Sequence, residues 1–110
     1  MIDDKDRKVL DELKKGIPAE VRNHIKKIWV YGSRVRGDSQ DDSDLDVLAL
    51  IDKKDPLLER KLEDVAYQVM WNCDFNPIIS LKVFLESHFQ DALSKGYSFY
   101  RNVASEGVEI

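Results

Sequence analysis

Residues 28–52, which read IWVYGSRVRGDSQDDSDLDVLALID, decide the fold that we expect for this chain. The run from Ile28 to Tyr31 is β-branched and aromatic and stops at Gly32-Ser33. A second apolar run extends from Asp44 to Asp52, after a loop rich in Asp, Ser and Gln. We expect the two runs to pair as strands of one sheet, joined by a tight glycine turn and a polar loop.

Two carboxylates enter the second of these strands, at Asp44 and Asp46. Side chains alternate along a strand, so the two carboxylates share a face, with Cα atoms roughly 6.5–7 Å apart. Mg²⁺ in proteins is typically held by one or two carboxylates together with substrate phosphates. The spacing therefore predicts a site for one Mg²⁺ ion and a nucleotide.

The turn at Gly32 and Ser33 is suited to the phosphates of that nucleotide. Gly32 has no side chain to keep a phosphate away from backbone N–H groups, and the Ser33 hydroxyl can add a hydrogen bond. If a helical turn begins at Ser33, its N-terminus also favours an anion.

The combined pattern of Gly32-Ser33, Gly37 and Ser43-Asp44-Leu45-Asp46 resembles the signature of the polymerase-β-type nucleotidyltransferase superfamily. The short chain resembles the minimal nucleotidyltransferase (MNT) branch, and the resemblance covers about residues 28–84. It implies an α/β (α+β) fold, in which a small mixed β-sheet has helices packed on one side. The alternative, in which the aspartates form only an acidic turn, is less favoured because random loops rarely combine these elements.

The resemblance implies a Mg²⁺-dependent transferase, in which an acceptor attacks the α-phosphorus of a nucleoside triphosphate and pyrophosphate leaves. Asp44 and Asp46 would be the catalytic metal ligands, and Gly32 and Ser33 would bind the triphosphate. Further candidates for nucleotide binding are Arg34, Arg36 and Ser43. For the two arginines the alternative is solvated surface, and for Ser43 it is a role in shaping the loop.

One part of the family pattern is missing from the chain. The family's fully active form has a third acidic residue on the strand that corresponds to residues 77–84, where Ser80 and Lys82 are the only polar side chains here. Either the site binds a nucleotide and one Mg²⁺ and transfers slowly or not at all, or an acceptor protein contributes the missing base.

Relatives of this size imply transfer of AMP from ATP to a partner protein, as the antitoxin of a HEPN/MNT toxin–antitoxin system with a helical HEPN-type partner. The alternative is a catalytically impaired nucleotide-binding module that regulates a partner by binding. Antibiotic modification is open by analogy. The net charge of −4 makes nucleic acid a less attractive partner.

The 110 residues are expected to form one domain, residues 1–110. The single cysteine, Cys73, excludes an internal disulfide, and we find neither a membrane span nor a signal peptide, so we expect a cytoplasmic protein. His24 is expected to be a helix residue without a catalytic role. The remaining pattern predicts helices over residues 3–15, 18–26, 56–72, 86–94 and 97–107, and a third strand over residues 78–84.

Overall fold

A mixed β-sheet forms the centre of this computed structural model, which describes residues 2–37 and 43–110. Its strands are β1 (Ile25–Tyr31), β2 (Leu45–Ile51), β3 (Ile79–Leu85) and β4 (Val108–Glu109), in the order β3-β2-β1-β4. β2 runs antiparallel to β1 and parallel to β3, and β4 is antiparallel to β1. The predicted mixed sheet is therefore confirmed.

Six helices are found within the described residues: α1 (Asp4–Gly16), α2 (Ala19–Arg22), α3 (Ser33–Arg36), α4 (Pro56–Asn72), α5 (Glu86–Ser94) and α6 (Ser98–Glu106). Asp3 caps α1 by accepting a hydrogen bond from the Asp6 N–H, and Asp55 caps α4 through the Leu57 N–H. The long helices match their predicted bounds closely. α2 is shorter than predicted, because β1 begins at Ile25 to pair with Ile51.

Helices cover both faces of the sheet rather than only the one that we expected. On one face, Leu45, Val47 and Ala49 of β2 belong to apolar clusters with side chains of α1 and α4. On the other face, Leu48 and Leu50 pack with Phe89 of α5 and Val103 of α6. The second layer forms because β2 is apolar on both faces, as a central strand should be.

Asp46 interrupts this buried strand. The other side chains of β2, from Leu45 to Ile51, are at most 2% exposed, whereas Asp46 is half-buried. Burying a charged group is costly unless it is paired or binds a metal ion. A carboxylate at this position of a central strand therefore indicates a functional role.

Strand β4 was not predicted. Val108 and Glu109 pair with Val30 and Trp29, and the Ile110 N–H donates to the Ile28 carbonyl over 3.0 Å. Two exposed residues show no periodicity that a sequence pattern could reveal.

Among residues 2–37 and 43–110, no helix is long and apolar enough to cross a membrane.

Candidate active site

The turn that follows β1 lies directly against the Asp46 carboxylate. Tyr31, the last residue of β1, pairs with Asp46 in the antiparallel ladder, and Gly32 turns away with φ of 87°. A Cβ atom on Gly32 would collide with Oδ2 of Asp46. Both the positive φ and this contact require glycine, so the structure brings the two halves of the sequence motif together.

Ser33 begins the one-turn helix α3, as the sequence suggested. The N–H groups of Val35 and Arg36 donate to the Gly32 carbonyl over 3.2 Å each, and Gly37 closes the turn with φ of 84°. One turn carries little dipole. Phosphate binding here would therefore depend on individual N–H groups and on the Ser33 hydroxyl.

The two motif aspartates are close enough to influence one another. Burial raises the pKa of Asp46, the charge of Asp44 raises it further, and Lys82 and Arg36 oppose the rise. Asp44 is exposed just before β2, at the mouth of the site. The charges form a partly desolvated cluster in which a cation would be stabilised.

The donor set suits a single hard divalent cation. Asp44 and Asp46 offer carboxylate oxygens, which Mg²⁺ prefers, and their mutual repulsion would be relieved by the ion. Within residues 2–37 and 43–110 no group of three His, Cys, Asp or Glu side chains could hold a metal ion. The remaining ligands would therefore come from water and from nucleotide phosphates.

Strand β3 completes the face that carries Asp46. Ser80 pairs with Asp46, and Lys82 pairs with Leu48, so both side chains project to the Asp46 side of the sheet. Lys82 is exposed and makes no ion pair within 4 Å among the described residues. In the sequence, Lys82 is noted only as a polar side chain of this strand; in the structure its ammonium charge lowers the pKa of Asp46.

Arg34 lies in a partly buried environment where it contacts other groups of the protein. Its Nη1 donates to both carboxylate oxygens of Asp6, over 2.9 and 3.0 Å, and its Nε donates to the Ser43 carbonyl over 2.8 Å. The side chains of Arg34 and Asp6 are only 9% and 2% exposed. A phosphate contact by Arg34 stays a prediction, whereas the observed contacts hold Ser43, the neighbour of Asp44, in place.

Asp6 is the member of this arrangement that sequence reasoning missed. It lies on α1 three and four residues before the buried Val9 and Leu10, so helical periodicity places it on the buried face of a helix rich in charged residues. Arg36, in contrast, is half-exposed and reaches Glu106 over 3.4 Å. Its charge also lowers the pKa of Asp46, so it lies on the site side of α3.

Tyr31 is a second residue that the motif did not reveal. Its ring meets Phe99 edge-on at 5.8 Å, and its hydroxyl is buried with no hydrogen-bond partner among the described residues. Burial, and next the charge of Asp46, raise the pKa of Tyr31 to about 12. The hydroxyl therefore stays protonated at neutral pH.

The mixed sheet, the Gly32-Ser33 turn and the paired carboxylates define a nucleotidyltransferase fold. The sequence profile described as polymerase beta, nucleotidyltransferase matches residues 15–110. The chain belongs to this family, as predicted.

Two relatives come from Methanocaldococcus jannaschii. The chain is 29% identical over 91 residues to the predicted protein adenylyltransferase MJ0141, covering 80% of this chain and 92% of the relative. It is 28% identical over 102 residues to the predicted protein adenylyltransferase MJ0604, covering 93% and 94%.

Solved structures share the fold at lower identity. A chain of a toxin–antitoxin crystal structure with AMP-PNP superposes with a TM-score of 0.54 at 19% identity, covering 94% of this chain and 69% of that one. A predicted nucleotidyltransferase from Sulfolobus solfataricus gives a TM-score of 0.50 at 20% identity, covering 94% and 82%.

Proposed function

We propose that this protein transfers AMP from ATP to a hydroxyl group of a partner protein, with one Mg²⁺ ion bound. The observation that carries the proposal is the Gly32-Ser33 turn packed on the Asp46 carboxylate, with Asp44 beside it. The names of the two archaeal relatives support AMP transfer to protein in particular.

Each side chain of the site has a task in this proposal. Asp44 and Asp46 would hold the ion, and Gly32 and Ser33 would bind the triphosphate. When bound, Mg²⁺ supplies Lewis-acid stabilisation of charge on the phosphates. Lys82 and Arg36 would add positive charge on the two flanks of Asp46.

The reaction forms a bond between the acceptor oxygen and the α-phosphorus and breaks the bond from that phosphorus to the bridging oxygen of the leaving pyrophosphate. The acceptor hydroxyl must lose a proton. The strand beside Asp46 offers Ser80 and Lys82 but no carboxylate for this purpose. We therefore propose that a base on the acceptor protein takes the proton.

We further propose that the acceptor is the HEPN-type toxin of a cytoplasmic toxin–antitoxin pair, with this chain as the antitoxin. The structural similarity to a chain of a toxin–antitoxin complex supports this setting. A gene for a small helical protein directly beside this one would agree with the pairing, whereas an isolated gene would contradict it.

A second candidate function is regulation of a partner by a nucleotide-bound module that does not turn over. The specific observation in its favour is Ser80, which occupies the β3 position opposite Asp46 without a carboxylate. In this case the metal and nucleotide would stabilise a binding-competent form of the protein.

Incubation of the purified protein with Mg²⁺ and ATP labelled at the α-phosphate, in a lysate of its source cells, tests the proposal. Parallel reactions with labelled GTP, CTP and UTP define the nucleotide, and ATP labelled at the γ-phosphate separates AMP transfer from phosphorylation. We expect α-label, but not γ-label, on a protein acceptor. Label only at the γ-position would contradict nucleotidyl transfer.

Two variants provide matched controls for this experiment. Asp44→Asn with Asp46→Asn should abolish transfer. Asp52→Asn removes a carboxylate beyond the other end of β2, where it contacts His24 over 3.0 Å, and should leave transfer unchanged. No transfer by the wild type, with Mg²⁺-dependent ATP binding retained, would favour the regulatory function.

A further inference from the structure

The Tyr31 hydroxyl is a buried polar group whose function the proposed reaction does not explain. Leaving a buried donor without a partner costs about 1–3 kcal/mol, and native proteins contain few such groups. The ring itself is well placed in the apolar cluster of α5 and α6, against Phe99. A phenylalanine would fill the same space without the cost, so the hydroxyl calls for a partner that appears in another state of the site.

The nearest feature of the site is Asp46. Tyr31 and Asp46 are direct partners in the antiparallel ladder of β1 and β2, so their side chains project on the same face. The charge of Asp46 also acts on the Tyr31 hydroxyl. Gly32, the next residue, lies against the same carboxylate.

Carboxylates that bind metal ions are usually held in orientation by hydrogen bonds from neighbouring groups, and loss of such a partner typically weakens metal affinity 10- to 100-fold. The charged side chains that act on Asp46 include Lys82, Asp44 and Arg36. Tyr31 is a neutral donor on the Asp46 face, and its hydroxyl is buried and unpaired among the described residues.

We propose that the Tyr31 hydroxyl is a positioning group for Asp46: it donates a hydrogen bond to the Asp46 carboxylate when that carboxylate turns to bind a divalent cation. This inference rests on the proposed metal–nucleotide site. The apo protein bears the cost of the unpaired hydroxyl, and the metal-bound protein recovers it.

Tyr31→Phe tests this inference because it removes one oxygen and keeps the ring. The probe is Mn²⁺ with the non-hydrolysable nucleotide α,β-methylene-ATP, and free Mn²⁺ is measured by electron paramagnetic resonance. We expect about tenfold weaker Mn²⁺ binding. We also expect an unchanged or higher melting temperature without ligand, since the unpaired donor is gone.

Tyr100→Phe is the matched control, because Tyr100 belongs to the same aromatic cluster and its hydroxyl is not a buried unpaired group in the described structure. It should leave Mn²⁺ affinity unchanged. In an Asp46→Ala background, which removes the hydrogen-bond acceptor, Tyr31→Phe should not lower the residual Mn²⁺ affinity any further.

The outcomes separate this inference from the proposed function. If the wild type binds Mn²⁺ and nucleotide and Tyr31→Phe binds them equally well, the inference is overturned, because the Tyr31 hydroxyl then does not contribute to metal binding. An equal tenfold loss in the Asp46→Ala background also overturns it, since the effect would then not pass through Asp46. If the wild type binds neither ligand, the proposed function fails and the inference fails with it.

Discussion

Replacing Asp6 by Asn should destabilise the protein far more than the loss of an ordinary surface charge. The carboxylate of Asp6 is 2% exposed and accepts two hydrogen bonds from the Arg34 guanidinium, which is itself 9% exposed. Asn keeps the shape of the side chain but removes the negative charge. The buried Arg34 cation then loses the counter-charge of Asp6.

Breaking a buried ion pair by removing one partner costs about 3–5 kcal/mol, chiefly through the uncompensated charge that stays behind. The stability of a whole domain is only about 5–15 kcal/mol. We therefore expect Asp6→Asn to remove a large share of the free energy of unfolding. The affinity for Mg²⁺ and nucleotide should also fall, because the hydrogen bond from Arg34 to the Ser43 carbonyl fixes the backbone next to Asp44.

Urea unfolding followed by circular dichroism measures the effect. Glu20→Gln is the matched control, since Glu20 makes a 2.9 Å ion pair with Lys61 in which the two side chains are 69% and 39% exposed. Exposed pairs contribute about 0–1 kcal/mol, so this control should unfold near the wild-type midpoint. The reasoning is refuted if Asp6→Asn costs no more than Glu20→Gln.

A double variant separates stability from positioning. Asp6→Leu with Arg34→Met removes both charges of this buried pair, and apolar replacement of a buried ion pair is often nearly neutral. We expect it to recover most of the stability lost in Asp6→Asn but not the affinity for Mg²⁺ and nucleotide, since the hydrogen bond to Ser43 is absent. Full recovery of both would show that Arg34 has only a structural role.

Four further predictions concern the site itself. Lys82→Gln should weaken Mg²⁺–ATP binding about fivefold at low salt, near 1 kcal/mol, and less as salt rises. Because the folded-state pKa of Asp46 is raised, Mn²⁺ binding should be lost on acidification at a higher pH than for an ordinary aspartate. Lys82→Gln removes a charge that lowers this pKa and should move the midpoint pH of Mn²⁺ binding higher still. A pH titration in which the midpoint does not move would contradict the role assigned to Lys82. Without ligand, Asp46→Asn should have a higher melting temperature than the wild type at neutral pH. The reason is that a raised folded-state pKa means that ionisation of Asp46 lowers the stability of the protein as pH rises. A lower melting temperature would contradict this prediction. Gly32→Ala should abolish Mg²⁺–ATP binding. Gly96→Ala is the control: Gly96 also has a positive φ, of 80°, but among the described residues no atom beyond its chain neighbours lies within 4 Å of the new methyl group. This variant shares only the backbone strain and should bind Mg²⁺–ATP normally.

The sequence pattern predicted the centre of the site because its signals are local. Asp44 and Asp46 are two residues apart, and Gly32 ends one strand and Asp44 begins the next, so strand alternation and turn chemistry suffice to bring them together. The long helix α4 was equally predictable, since Pro56 marks its start and an apolar stripe follows.

The missed features depend on register and on long-range packing. That Ser80 faces Asp46, and Lys82 the next residue along that face, follows from the parallel pairing of β2 and β3, which no local pattern specifies. The bond from Arg34 to Asp6 joins residues 28 positions apart. The orphaned hydroxyl of Tyr31 arises only when α5 and α6 cover the second face of the sheet.

The contact between Asp6 and Arg34 also bears on where the functional unit begins. The match to the family model starts at residue 15, so nearly all of α1 lies outside it. A chain shortened to residues 15–110 would keep every residue of the motif and lose the contact between Asp6 and Arg34. The match to the family model therefore does not mark the boundary of the working domain, because it begins inside the helix that supplies Asp6.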